Sequence, residues 1–332
     1  MDNNQFELIL LGDASVDLFI TPTESESLCQ MDDKESFICF NYCDKIPVKN
    51  LDFCLGGNAV NTAVGVARLG IKNAVVLTLG DDLIGKQIIE GLKKENIDLT
   101  YVIQQPATSS NFSTIVNYSG ERTIFTYHAP RSYEFPVTLP STPWAYLTSM
   151  GETFKPFYNH VVEWLKKNSN IKLVFNPGTW QMRQGVEGIR EVLALTHLIF
   201  LNREEAEKLT EFGLSKGKEK ELLAALTKLG PKICVITDGP NGSYIYDWER
   251  YLYCGILPTS VYERTGAGDA FSAGFITAII KGRPFEEALL LGTVNSTSVI
   301  GFTGATKGLL KETEISVWLE KAKTAGVVVK EF

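Results

Sequence analysis

The chain has 332 residues, 44% of them hydrophobic and 21% charged, which is ordinary for a globular protein and long enough for an α/β fold with one large sheet. A net charge of −7 argues against a general nucleic-acid binder or a binder of anionic membranes, both of which need a basic face. The N-terminus is polar and acidic, and no apolar run approaches the ~20 residues of a membrane span, so the expected setting is cytoplasmic.

In chain order, Leu8 to Leu11 is a short apolar run closed by Gly12 and predicts a buried first strand. Residues 18 to 54 contain no convincing helix and read as inserted β structure around the polar stretch "TPTESESLCQMDDKES". Helical periodicity follows over Ala59 to Leu69, then a strand over Asn73 to Leu79 and a helix over Lys86 to Glu95. Between that strand and helix, "GDDLIGKQ" fits the spacing of a phosphate-binding P-loop. However, Gln87 replaces the hydroxyl residue that would hold magnesium, and Asp81 and Asp82 would repel phosphate, so a strand-to-helix turn is the better reading. "NFSTIVNYSGERTIFTYH" forms two alternating runs around Ser119-Gly120, a hairpin signal. With the first insert it predicts a small antiparallel sheet. Its candidate inward residues are Phe37, Cys39 and Asn41 on one run, and Phe112, Thr114 and Val116 on the other.

The second half alternates strands at Ile171 to Phe175, Leu198 to Leu201 and Ile233 to Thr237 with helices at Tyr158 to Lys167, Glu204 to Glu211 and Glu219 to Leu229. Such alternation implies a parallel sheet covered on both faces. Helices then dominate: Ala270 to Ile280, Phe285 to Ile300 and Lys311 to Lys323. Cysteines at 29, 39, 43 and 54 contain no CxxC pair and have no nearby histidine, which favours reduced thiols over a zinc site.

The stretch "RTGAGDAFSAGF" lies between a predicted strand ending near Val261 and a helix starting near Ala270. A helix's first turn has unpaired N–H groups and a partial positive charge, and glycines let its backbone close on an anion. An aspartate placed directly after the glycines would repel a resident phosphate. It makes sense as a general base that takes a proton from an attacking hydroxyl. A capped helix start after a glycine turn would give the same pattern. A dinucleotide fingerprint is disfavoured, because Phe271 stands where the third glycine belongs.

Five stretches, "GGNAVNTAVGVARLG", "LGDDLIGKQIIEGLKKENID", "NREEAEKLT", "ITDGPNGSY" and "ERTGAGDAFSAGF", together resemble the ribokinase-like (PfkB) sugar and nucleoside kinase family in order and spacing. The resemblance implies a three-layer α/β sandwich with a mainly parallel central sheet, one domain over residues 1–332. It also implies a β-sheet lid from segments 18–54 and 108–130, through which some relatives form homodimers. It implies transfer of the ATP γ-phosphate to a hydroxyl of a small sugar, with Mg²⁺. A nucleoside is the alternative acceptor, and a non-catalytic binder is the alternative class.

Residue by residue, the resemblance makes Asp269 the base and Gly266, Ala267 and Gly268 the anion hole. It places Ser15, Asp17, Gly56, Gly57, Asn58, Asn61, Glu152 and Asn176 at the acceptor, with Arg122 as a further candidate for an acidic one. Asn202, Thr237, Gly239, Gly242, Arg264 and Asn295 fall to ATP, and Asn202 with Glu205 to magnesium through water. Two features of this chain depart from the pattern. Glu263-Arg264 stands where Asp-Thr is common, which leaves the K⁺ site implied at Glu263 open, and Ser15 replaces a frequent Asn. Aromatic residues of the lid, Phe40, Tyr42 and Tyr127 among them, keep a stacked nucleoside base as an alternative.

Overall fold

The computed structural model describes residues 5–23, 28–31, 36–118 and 121–332. The Ser119-Gly120 turn and the side chain of Phe37 lie outside the described residues. In chain order the first half contains β1 (Leu8–Leu11), β2 (Ser15–Pro22), β3 (Leu28–Met31), β4 (Ser36–Cys39), β5 (Val48–Gly56), α1 (Asn58–Arg68), β6 (Asn73–Gly80), α2 (Leu83–Lys94), β7 (Asp98–Gln105), β8 (Asn111–Tyr118) and β9 (Glu121–Tyr127). The middle contains β10 (Trp144–Leu147), α3 (Lys155–Lys167), β11 (Lys172–Phe175), α4 (Thr179–Arg183), α5 (Gly185–Leu195), β12 (Thr196–Asn202), α6 (Arg203–Thr210), α7 (Glu219–Thr227) and β13 (Ile233–Thr237). The last part contains β14 (Ser243–Tyr246), β15 (Tyr251–Cys254), α8 (Ala267–Ile280), α9 (Phe285–Val299), α10 (Ile315–Thr324) and β16 (Val329–Glu331). Among the described residues no helix is long and apolar enough to cross a membrane.

The main sheet has the order β16-β15-β14-β13-β12-β11-β10-β1-β6-β7. It is parallel from β13 to β7, with β14 to β16 added antiparallel at one edge. The continuous apolar runs of β1 and β6 are buried along their whole length because packed cores cover both faces. From β1 the chain proceeds to β6 and β7 on one side, and from β10 it proceeds to β11, β12 and β13 on the other. The strand order therefore reverses between β1 and β10, and such a switch point opens a crevice at the carboxyl ends of the strands.

A second sheet has the order β5-β2-β8-β9, and β3 and β4 form a separate two-stranded ribbon. The expected antiparallel sheet is mixed: β2 runs parallel to β8, while the β2–β5 and β8–β9 pairs are antiparallel. A parallel pair needs a long crossover, and the chain supplies one by passing through α1, β6, α2 and β7 before returning as β8. The register also differs from the expected one. Asn111, Ser113 and Ile115, rather than Phe112, Thr114 and Val116, face inward to line a cavity. Leu51, Phe53, Phe125 and Tyr127 of this sheet are exposed.

Helices α1 and α8 cross at Gly65 and Ala273, where a Cβ on Gly65 would lie 2.6 Å from the Ala273 Cβ. One turn toward each N-terminus sit Asn61 and Asp269, whose side chains bond at 2.9 Å. The small residues thus set the spacing at which the polar pair meets. Gly65→Val is expected to destabilise the fold by about 1–3 kcal/mol through overpacking, read as a lower denaturant midpoint at unchanged m-value.

Candidate active site

The segment between β15 and α8 is irregular, so the strand expected before the glycine motif is absent and the motif ends a loop. Helix α8 begins at Ala267, earlier than the sequence predicts. Gly266 caps it with φ +77°, a conformation strained for other residues, and a Cβ there would sit 2.3 Å from the Ala305 Cβ. Gly268 and Asp269 consequently lie in the first turn, whose amides a helix leaves without internal partners. The Ala267 amide turns back to the Arg264 carbonyl at 3.3 Å.

Two cavities flank this turn. The first, about 240 Å³, is lined by Asp13, Ser15, Asp17, Asn58, Asn61 and Asp269 together with Gly57, Thr265 and Gly266. The inward residues of β8 and β9 close it from the second sheet. The second, about 660 Å³, is lined by Asn202, Thr237, Gly239, Gly242, Arg264, Ala267 and Gly268. The motif is therefore shared, with Asp269 facing one cavity and Gly268 the other.

Asp269 is 9% exposed. Burial pushes its carboxyl up to about 7; the amide of Asn61 opposes this, and the charges of Glu205 and Asp17 reinforce it. Asp17 accepts a hydrogen bond from Ser15 Oγ at 2.9 Å, yet burial still raises its carboxyl, helped by the charge of Glu263. Gly56 leaves room for it, since a Cβ there would meet Asp17 Oδ2 at 2.2 Å. Asn202 and Glu205 form a reciprocal capping box: Asn202 Oδ1 accepts from the Glu205 amide at 2.8 Å, and Glu205 Oε2 accepts from the Asn202 amide at 2.9 Å. Asn202 nonetheless lines the second cavity.

Several expected site residues lie elsewhere. Asn295 is fully buried, donates to the Ala270 carbonyl at 2.7 Å and accepts from the Leu310 amide at 3.0 Å, so it braces α8 instead of lining the second cavity. Glu152 is exposed and lines neither cavity. Asn176 stands behind Asn58, accepting from its side chain at 3.4 Å. Arg122 lines the second cavity, not the first, and its guanidinium lies 3.4 Å from Glu263. Glu263 is 3% exposed and also accepts from the amides of Thr265, at 2.6 Å, and Gly304, at 3.4 Å. Tyr42 and Tyr127 are exposed and line neither cavity.

Two residues that the sequence reading passed over shape the site. Asp13, at the switch point, accepts from Tyr133 Oη at 2.7 Å and from the Gly151 amide at 2.9 Å. Arg203 is buried and pairs with Asp238 at 2.7 Å and Glu219 at 3.0 Å, anchoring the loop that carries Gly239 and Gly242.

A profile of the pfkB family carbohydrate kinases matches residues 29–312. The chain belongs to that family. This kinase is 25% identical to an ATP-dependent 6-phosphofructokinase of Thermoanaerobacterium thermosaccharolyticum, over 92% of this chain and 91% of that one. It is 27% identical to a ribokinase of Haemophilus influenzae, over 82% of this chain and 90% of that one. The fold matches that of Arabidopsis thaliana ribokinase complexed with ribose and ATP, with a TM-score of 0.77 at 20% identity, covering 95% of the kinase and 99% of that chain. Its reaction class is accordingly that of the sugar and nucleoside kinases, phosphotransfer to an alcohol group.

The raised carboxyl of Asp269 makes stability depend on pH. Between about pH 4, where the carboxylate of the unfolded chain ionises, and pH 7, the unfolded chain is deprotonated while the folded chain retains its proton. Stability attached to this group is therefore full at low pH and lost as pH rises through 7. Asp269→Asn is expected to raise the melting temperature more at pH 8 than at pH 5, measured by calorimetry.

Proposed function

We propose that this kinase transfers the γ-phosphoryl group of ATP to a hydroxyl of a small sugar, with the acceptor in the first cavity and the nucleotide in the second. The observation that carries this reading is the convergence of both cavities on the first turn of α8, with Asp269 facing the first and Gly268 the second. A loose transition state demands positioning and charge neutralisation more than covalent help. The amide of Gly268 and the positive end of α8 meet charge on the transferred group. Asp269 orients the acceptor hydroxyl and accepts its proton as the new oxygen–phosphorus bond forms and the bond to ADP breaks. Asn61 keeps the carboxylate aimed. Asn202, Thr237, Gly239 and Gly242 hold the nucleotide, and Arg264 contacts its phosphates.

No group of three or more His, Cys, Asp or Glu side chains suited to a metal occurs among the described residues. Magnesium, which is usually held by few carboxylates plus substrate phosphates and water, suits such a site, with Asn202 and Glu205 as its outer support. When bound it neutralises charge on the phosphate oxygens. A monovalent cation fits poorly, because Glu263 is already matched by Arg122 and two amides. No step is assigned to K⁺.

The test is ADP release on mixing with ATP, Mg²⁺ and a panel of acceptors. Asp269→Asn is expected to lower kcat by ~10²–10⁴ while ATP binding persists. The wild-type kcat/KM is expected to fall about tenfold per unit below pH 7, because only ionised Asp269 accepts the proton. A variant retaining full turnover would remove Asp269 from the mechanism. Arg264→Ala is expected to raise the KM for ATP several-fold, and an unchanged value would make Arg264 a surface residue.

A further inference from the structure

The first cavity says more about the acceptor than that it has a hydroxyl, and this inference rests on the kinase reading above. Among the described residues its lining contains no Lys or Arg, while it includes Asp13, Asp17 and Asp269. The guanidinium groups of Arg131 and Arg122 are committed elsewhere, and Arg264 lines the second cavity. Arg131 is buried and donates to the carbonyls of Thr78 and Ser109 and to Asn111 Oδ1. Arg122 faces Glu263 at the second cavity. A phosphate or carboxylate on the acceptor would therefore meet three carboxyl groups, with the imidazole of His128 as the one basic side chain among the described lining residues.

The same lining leaves polar atoms without partners. Asp13 Oδ1, Asn61 Oδ1 and Thr265 Oγ1 are each buried without a hydrogen bond. Buried polar atoms in native structures are nearly always satisfied, so three orphans around one cavity point to a ligand with several hydroxyls. Asp13 is the most informative of the three. It is 6% exposed, sits at the switch point, and has Oδ2 fixed by Tyr133 and Gly151 while Oδ1 is unspent. Size and surface agree: 240 Å³ falls below the roughly 300–1,000 Å³ of drug-sized sites, and among the described residues the only ring in the lining is the imidazole of His128, with no Phe, Tyr or Trp to stack a base.

We propose that the acceptor is an uncharged monosaccharide and that Asp13, beside Asp17, accepts hydrogen bonds from its hydroxyls. The experiment compares ADP release and thermal shift for neutral pentoses and hexoses, their phosphates, the corresponding sugar acids, and nucleosides. A neutral sugar should exceed its phosphate, its acid and every nucleoside by at least 100-fold in kcat/KM. Preference for a phosphorylated sugar, an acid or a nucleoside overturns this proposal and leaves the kinase reading standing. Absence of ADP release with every acceptor overturns the kinase reading. Thermal stabilisation by the neutral sugars alone, or by the charged ones, then still decides the character of the cavity. Asp13→Asn replaces the free acceptor with a donor while keeping an oxygen for Tyr133 and Gly151. It should raise the KM of the preferred sugar roughly tenfold or more and leave the KM for ATP where it was. A sugar KM within twofold of wild type, in a variant with an unchanged melting temperature, removes Asp13 from acceptor recognition.

Discussion

The arrangement depends on one carboxylate buried at the start of an apolar helix. Helix α8 is buried over nearly all its length, and burial alone would keep Asp269 protonated. The positive helix terminus and the amide of Asn61 pull the other way, and the neighbouring charges of Glu205 and Asp17 add to the cost of ionisation. The balance near 7 suits a group that takes a proton during transfer and releases it afterwards. Gly65 against Ala273 and Gly266 against Ala305 let the chains come close enough to set this balance.

The first cavity is assembled from two sheets that obey different rules. The main sheet contributes through its switch point, where the ends of β1 and β10 part and Asp13 and Ser149 join the cavity lining. The second sheet contributes through its period of two, which places Asn111, Ser113 and Ile115 inward. A slip of one residue in β8 would exchange Asn111, Ser113 and Ile115 for Phe112, Thr114 and Val116. Parallel pairing of β8 with β2, which places Ser113 opposite Asp17, holds the register.

What could be read in the sequence follows from how local each cause is. Buried runs such as "LILL" and the glycine-rich signatures carry their structure within a few residues, and both the parallel core and the glycine-led helix start that carries Asp269 were legible. Strand β10, a central neighbour of β1, was not, because four residues directly after Pro143 show no usable period. Asp13 stands beside the Asp17 that was recognised, but its meaning depends on Tyr133 and Gly151, more than a hundred residues away. Asn295 was misplaced for the converse reason: a polar residue on a buried helix can face a cavity or a neighbour's carbonyl, and only packing decides. For Asn202 and Glu205 the capping box is present at the end of β12, and of the pair only Asn202 lines the second cavity.

Glu263 joins these parts. Its Oε1 accepts from the amide of Thr265, in the loop that shapes the start of α8, and lies near the guanidinium of Arg122 on β9 of the second sheet. A carboxylate so buried is tolerable because its charge is matched. Moving β9 away would strip Glu263 of that match and leave the Thr265 amide with a partner in an unfavourable state. A single side chain thus touches both the sheet over the first cavity and the loop facing the second. Arg122 supplies the charge match for Glu263 from β9, a contact that the chemistry of an acidic acceptor, the reason it stood out in the sequence, would not have suggested.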